Sequence, residues 1–449
     1  MSPGWDPIEE YKAKTKKSAE RFELAQKHLP GGVTGNVKFY SPYPIYAKKA
    51  KGSHLWDLDG NEYIDYMLCF GPLILGHAHP KVISAIKRQL ESDGSQTFGA
   101  PHELEVKMAE RLKRIFPFAD SARFTNSGLE ATLHALRVAK GYKRKLRIAK
   151  FEGAYHGSYD EVLVSLAPAE AAAGPRNAPK SVPGSFGTAD QVVSNVQVLP
   201  YNDTEGARKI LKAHKDDLAA LIMEPVQRGF VVPDLEFLKA MREITSELGI
   251  VLIFDEVMSG FRMDRMGGAC TTYGVQPDMI CLGKIIGGGY PCGAFMGKKE
   301  IMDMVNPVTK PKDQRVFHGG TFNGHPTVLA AGMSTLDVLE EPETYPNLNR
   351  TSDRLRNGLN DLFGRMGFDA IAVGPYSTFN ILFTKGKISD YRDAIHCDSK
   401  MRQRFDYGML ARGIHYHPDK PVYTCTEHTN EDIDYTLKMA EDVLKRMKA

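Results

Sequence analysis

The chain has 449 residues, 42% of them hydrophobic, with 58 basic against 55 acidic side chains and a formal charge of +3. That length allows a large core and two domains, and the near balance of charge leaves no electrostatic footprint for nucleic acid. Six cysteines scattered without a CxxC pair indicate neither a disulfide framework nor a Cys-type zinc site. The polar opening lacks the apolar core of a secretory signal and no apolar run approaches bilayer length, so a cytoplasmic protein without membrane contact is expected.

A helical pattern over residues 9–28, with the basic cluster of residues 12–17 on its solvated face, stops at Leu29-Pro30-Gly31-Gly32. Extended runs at 54–57 and 63–66 flank Asp59-Gly60-Asn61 and predict a hairpin. Helices follow at 80–91 and 103–115, then a strand at 122–125, a helix at 129–141 and a strand at 146–151. Residues 167–187, rich in Ala, Pro, Gly and Ser, predict a long surface loop of the kind that forms lids or stays disordered. Strands at 218–223, 250–254 and 279–282 surround a helix at 234–248; a helix at 327–339 and a mixed region with a strand at 379–383 complete the chain. Such alternation predicts an α/β fold with a mainly parallel sheet and helices on both faces. The expected division is an N-terminal segment at 1–70 belonging to a small domain, a large α/β domain at 71–326, and the small C-terminal domain at 327–449.

The apolar runs at 218–223, 250–254 and 279–282 end at Glu224, at Asp255 and at Gly283-Lys284. Short continuous apolar runs are buried parallel strands, and open α/β sheets place their chemistry beyond the carboxyl ends of such strands. Asp255 and Lys284 are thus expected at one crevice, where an ammonium and a carboxylate are costly unless something uses them. Asn126-Ser127-Gly128 sits between a strand and a helix, where free amides and a hydroxyl suit a phosphate, although Ser-Gly before a helix is most often a cap alone. Tyr155-His156-Gly157 puts an aromatic ring at another strand end, equally fit for a core rim or for stacking. His318-Gly319-Gly320-Thr321-Phe322-Asn323 is a second glycine-rich turn with a hydroxyl. A Schiff-base amine, a carboxylate for a pyridinium nitrogen and an anion cradle together match the needs of pyridoxal 5′-phosphate. No GxGxxG or GxSxG competes with that reading. The HxH pairs His77/His79 and His415/His417 lack a third ligand and read as structural.

Through Pro30-Gly31-Gly32-Val33, Asp59-Gly60-Asn61-Glu62-Tyr63-Ile64-Asp65-Tyr66, Asn126-Ser127-Gly128, Glu224-Pro225-Val226 and residues 255–262, 283–289 and 321–332, the chain resembles class III, fold type I pyridoxal-phosphate-dependent aminotransferases. Within them it is most similar to glutamate-1-semialdehyde 2,1-aminomutase and its aminotransferase relatives. The resemblance implies that Lys284 carries the internal aldimine and serves as the general base, that Asp255 pairs with the pyridine nitrogen, and that Val257 and Tyr155 flank the ring. It further implies that Ser127 and Gly128 hold the phosphate with Thr321 of a second subunit in a homodimer, and that His156 and Glu224 stand near the ring and its hydroxyl.

At the substrate positions the resemblance implies, Lys38 stands where the aminomutases have a carboxylate-gripping Arg, keeping the charge but losing the bidentate fork. In the phosphate cradle Leu129 stands in place of a Thr, which removes one hydroxyl and leaves the amides to bind; in the pocket Phe70 stands in place of a Trp, and Val422-Tyr423-Thr424-Cys425 where a Glu is expected. These departures favour release of a keto product, so an aminotransferase moving an amino group from an amino acid (α-, β- or D-aryl) or amine to a 2-oxo acid is expected ahead of the 2,1-aminomutase. An amino-acid racemase is the third alternative.

Overall fold

The computed structural model describes residues 5–92 and 95–448. Its strands, in chain order, are β1 (Ala47–Lys51), β2 (His54–Asp57), β3 (Glu62–Asp65), β4 (Ser121–Thr125), β5 (Arg147–Phe151), β6 (Val196–Leu199), β7 (Leu218–Met223), β8 (Val251–Asp255), β9 (Met279–Gly283), β10 (Gly293–Gly297), β11 (Ile371–Val373), β12 (Thr378–Leu382), β13 (Ile414–His415) and β14 (Val422–Tyr423). Two compact units divide the chain: Lys81–Pro342 with Lys387–Ile395, and Met1–Pro80 with Glu343–Gly386 and His396–Ala449.

The larger unit is built on a seven-stranded sheet in the order β4-β10-β9-β8-β7-β5-β6. Strand β10 runs antiparallel to both β4 and β9, and the remaining pairs are parallel. Every residue of β7, β8, β9 and β10 is buried, which is why the sequence shows continuous apolar runs and not alternation. Helix Gly128–Lys143 packs Ala131, Ala135, Leu136, Val138 and Ala139 into the same core as Ile222, Ile253 and Cys281. Each large apolar side chain so buried contributes about 1.5–3 kcal/mol.

Within the seven-stranded sheet, β6 and β10 lie outside the expected strands, as do β1, β11, β13 and β14 of the smaller unit. Strand β10 begins and ends on glycine, which reads as a loop; yet a Cβ at Gly293 would stand 2.2 Å from the Ser127 carbonyl oxygen. The backbone of the Ser127 turn therefore passes so close that only glycine lets the strand through. The segment 167–187 also differs from an open loop. It contains helix Glu170–Ala173, and the Arg392 guanidinium donates to the carbonyls of Ala173 (3.3 Å) and Gly174 (2.8 Å) while pairing with Glu152 at 2.7 and 2.9 Å.

The smaller unit joins the two ends of the chain. Strands β2 and β3 form the predicted hairpin, with His54 opposite Ile64 and Trp56 opposite Glu62; β1, which lies outside the expected strands, pairs antiparallel with β2, and β13 adds in parallel to β3, placing His415 beside Asp65. Strands β11, β12 and β14 form a second small sheet. The expected single helix at 9–28 is two helices, Pro7–Lys14 and Lys16–Gln26. Thr15 between them leaves helical geometry (φ −123°, ψ 41°), with its hydroxyl donating to the Tyr11 carbonyl at 2.8 Å. The break lets Tyr11 enter the aromatic cluster of Tyr40, Tyr43 and Tyr407. No helix among the described residues is long and apolar enough to cross a membrane.

Candidate active site

Neighbouring strands β7, β8 and β9 run parallel, so the residues that follow them emerge on one edge of the sheet: Glu224 after β7, Asp255 closing β8, and Lys284 after β9. Strand β4 points the same way, because β10 is antiparallel to both β4 and β9, and it delivers Asn126-Ser127-Gly128 to that edge. The expectation of one crevice at the carboxyl ends of the strands corresponds to this arrangement.

Asp255 is buried, with 4% of its surface exposed. Its Oδ2 lies 2.8 Å from His156 Nδ1, and its Oδ1 accepts the Val257 N–H at 3.0 Å. His156 is itself fixed by the Thr132 hydroxyl, which donates to the His156 carbonyl at 2.6 Å. Its Nε2 is buried without a hydrogen-bond partner. Glu224 accepts the Tyr155 N–H at 2.9 Å; burial and the nearby Asp255 charge raise its carboxyl against the pull of His156. Lys284 takes the left-handed conformation at φ 50°, a geometry that costs a non-glycine residue of order 1–3 kcal/mol and concentrates at functional sites. Burial lowers the Lys284 ammonium below the ordinary lysine range, partly opposed by the carboxylates of Asp255 and Glu224 and reinforced by Arg262. The amine is thereby brought closer to its uncharged, nucleophilic form.

Beside these groups lies a cradle built by close packing. Ser127 is the N-cap of helix Gly128–Lys143, its Oγ accepting the Glu130 N–H at 3.1 Å, so the capping role is real and the hydroxyl proton is still available to an acceptor. A Cβ on Gly128 would lie 2.6 and 2.7 Å from the Val257 methyl groups, and one on Gly283 would lie 3.0 Å from Val257 and 3.1 Å from the Gly128 Cα. Gly128 and Gly283 thus pack against each other and the Val257 side chain with no side chain of their own, which suits the first-turn amides and the positive end of a sixteen-residue helix to an anion. The glycine cradle, the buried carboxylate and the orphaned imidazole nitrogen of His156 fit a flat phosphorylated heterocycle.

Tyr155 is 42% exposed at the rim, and Thr321 is exposed in the turn before helix Pro326–Leu339. Asn126 ties that turn to the cradle by donating to Asn323 Oδ1 at 3.1 Å. Lys38 and Phe70 belong to the smaller unit. Lys38 is exposed and donates to Thr34 Oγ1 at 3.0 Å, while the Phe70 ring stands 5.7 Å from that of His417. Sequence reading missed Arg228, whose guanidinium donates to Gly153 (2.5 Å) and Leu166 (2.7 Å) carbonyls and lends positive charge to Glu224. Its one signal was a lone charge in the turn Gln227-Arg228-Gly229, indistinguishable in the sequence from a solvated surface residue.

A family model for class-III aminotransferases matches residues 37–369. Glutamate-1-semialdehyde 2,1-aminomutase of Thermodesulfovibrio yellowstonii is 42% identical over 441 residues, 97% of this chain and 100% of that protein. Among solved structures, an omega-transaminase from Sphaerobacter thermophilus superposes with a TM-score of 0.91 at 35% identity, over 96% of this chain and 98% of that one. A transaminase with PLP bound matches with a TM-score of 0.87 at 30% identity, over 97% and 99%.

Proposed function

The chain belongs to the class-III aminotransferase family of fold type I enzymes, whose cofactor is pyridoxal phosphate, and from that premise we propose that it is a glutamate-1-semialdehyde 2,1-aminomutase working as a homodimer. The observation that carries the reading is the 42% identity to an aminomutase along that relative's complete length. The relatives reverse the order expected from the pocket residues, which had put aminotransferase first.

When bound, pyridoxal phosphate supplies an aldehyde for an amine and an electron-withdrawing ring that stabilises negative charge on the substrate carbon. In this reading Lys284 provides the amine, and its lowered pKa leaves it able to take and return the proton at the substrate carbon. Asp255, oriented by His156 and the Val257 N–H, presents a carboxylate to the ring nitrogen and keeps that nitrogen protonated. The Ser127 hydroxyl and the amides from Gly128 onward receive the phosphate, with Thr321 from a second copy. Val257 and Tyr155 would hold the ring between them, and Glu224 would stand near its hydroxyl. Lys38 and Phe70 meet the substrate. The reaction is an isomerisation: the amino group leaves one carbon and returns to its neighbour, with no net co-substrate.

Intermolecular transamination is the second reading. It is favoured by Lys38, Phe70 and Val422-Tyr423-Thr424-Cys425 at positions where the aminomutase pattern differs, and by the likeness to an omega-transaminase. Purified enzyme is incubated with glutamate 1-semialdehyde alone, and separately with an ω-amine plus 2-oxoglutarate. Aminolevulinate as the dominant product supports the mutase; turnover confined to the second mixture would replace it with the transaminase.

A further inference from the structure

One histidine from each HxH pair, His77 and His415, reaches the same buried carboxylate. Asp65, 2% exposed, receives His415 Nδ1 on Oδ1 at 2.8 Å and His77 Nε2 on Oδ2 at 2.7 Å. The same Oδ1 accepts the N–H groups of Met67 (2.8 Å) and Leu68 (3.2 Å). Burial alone would raise the Asp65 carboxyl, but the imidazoles of His415 and His77 outweigh it and hold it well below the usual carboxylate range. Both imidazoles are placed by backbone: His415 pairs with Asp65 across β3 and β13, and His77 exchanges two hydrogen bonds with Gly52 at 2.9 and 2.7 Å.

Immediately beyond the two N–H groups that Asp65 holds, Leu68, Cys69 and Phe70 adopt φ values of 45°, 56° and 65°. Three successive non-glycine residues in the left-handed region are disfavoured one by one, since each brings its Cβ against a carbonyl oxygen. Such a turn persists only where its surroundings over-determine it. Its last residue, Phe70, packs against His417, two positions beyond His415.

We propose that Asp65, clamped by His77 and His415, is a positioning residue that holds the left-handed Leu68–Phe70 turn and thereby fixes the placement of the Phe70 ring. The inference rests on the reading that Phe70 meets the substrate. It assigns His77 and His415 a role in substrate fit, and among the described residues no cluster of His, Cys, Asp and Glu is arranged to hold a metal ion.

Cys69 reports on the turn directly, because it is an exposed thiol within it, while Cys270, Cys281, Cys292 and Cys425 are buried. In a Cys397→Ser background, the holoenzyme is labelled with a chromogenic disulfide reagent and assayed with glutamate 1-semialdehyde. His415→Leu is expected to change the Cys69 labelling rate and to raise KM about tenfold with kcat nearly unchanged, while His415→Asn, which keeps an N–H donor, restores both. His77→Leu serves as the parallel variant should His415→Leu fold poorly. An unchanged labelling rate overturns the inference, as does a loss confined to kcat. A wild-type enzyme inert toward glutamate 1-semialdehyde would instead defeat the functional reading, and the thiol rate would still decide whether the clamp holds the turn.

Discussion

Asp255 Oδ2 stands 2.8 Å from His156 Nδ1, while the opposite ring nitrogen of His156 is buried without a partner. The imidazole is therefore committed to the carboxylate and to no other hydrogen bond, so it acts on whatever Asp255 touches. His156→Leu leaves a buried carboxylate with the Val257 N–H as its remaining donor, an imbalance worth about 1–3 kcal/mol. Thermal unfolding of the apo protein is expected to show that loss, and the affinity for pyridoxal phosphate is expected to fall with it. Unchanged cofactor affinity would separate His156 from the Asp255 role.

The Gly128–Val257 contact makes a second prediction. In Gly128→Ala the new methyl group meets the Val257 side chain at 2.6–2.7 Å, closer than real contacts allow, and the turn must shift. Cofactor affinity, followed by absorbance, is expected to fall at least tenfold, about 1.4 kcal/mol. The double variant Gly128→Ala/Val257→Ala is expected to recover most of it; no recovery would place the damage elsewhere.

Lys150 gives a pH signature. It is fully buried, its ammonium donating to the Val164 carbonyl at 2.8 Å, and burial, reinforced by Arg228, lowers it to about 7. Between that value and the unfolded value of about 10.4, the unfolded chain carries a proton that the folded chain lacks, so stability rises with pH at roughly 1.4 kcal/mol per unit for this one group. Below the folded value both states are protonated and the contribution is flat. Lys150→Met is expected to remove one proton's worth of slope in that window, read by denaturant unfolding at a series of pH values. An unaltered slope would mean that the lysine titrates normally.

Arg392 and Glu152 form a buried two-point ion pair, and the same guanidinium holds the carbonyls of Ala173 and Gly174. Arg392→Met strands the Glu152 charge, at a cost of about 3–5 kcal/mol, and releases the 167–187 segment. Limited proteolysis is expected to cut that segment faster, and Arg392→Met/Glu152→Leu is expected to regain stability without regaining protection. Equal proteolysis in all forms would show that Arg392 does not restrain the segment.

The larger sheet was readable because β7, β8 and β9 are buried on both faces and therefore uninterrupted by polar residues, each ending in the charged residue that serves the site. Strand β10 was not, since its glycines answer contacts distant in sequence: Gly293 with Ser127 and Gly297 with Asp278 and Met279. The cradle was visible as Ser127-Gly128, but Val257 as the reason for that glycine was not. The Asp65 cluster was likewise hidden: its imidazoles come from residues 77 and 415, brought together by the β3–β13 pairing. Local pattern carries strand ends and turns; convergence of remote segments needs the fold.

In this reading Lys284 is the amine joined to the cofactor beside Asp255. Reduction of the holoenzyme with borohydride, followed by peptide mapping, tests it most directly. A pyridoxyl group is expected on Lys284 and is expected to disappear in Lys284→Ala; a label on any other lysine, or none on the wild-type protein, would rule out Lys284 as that amine.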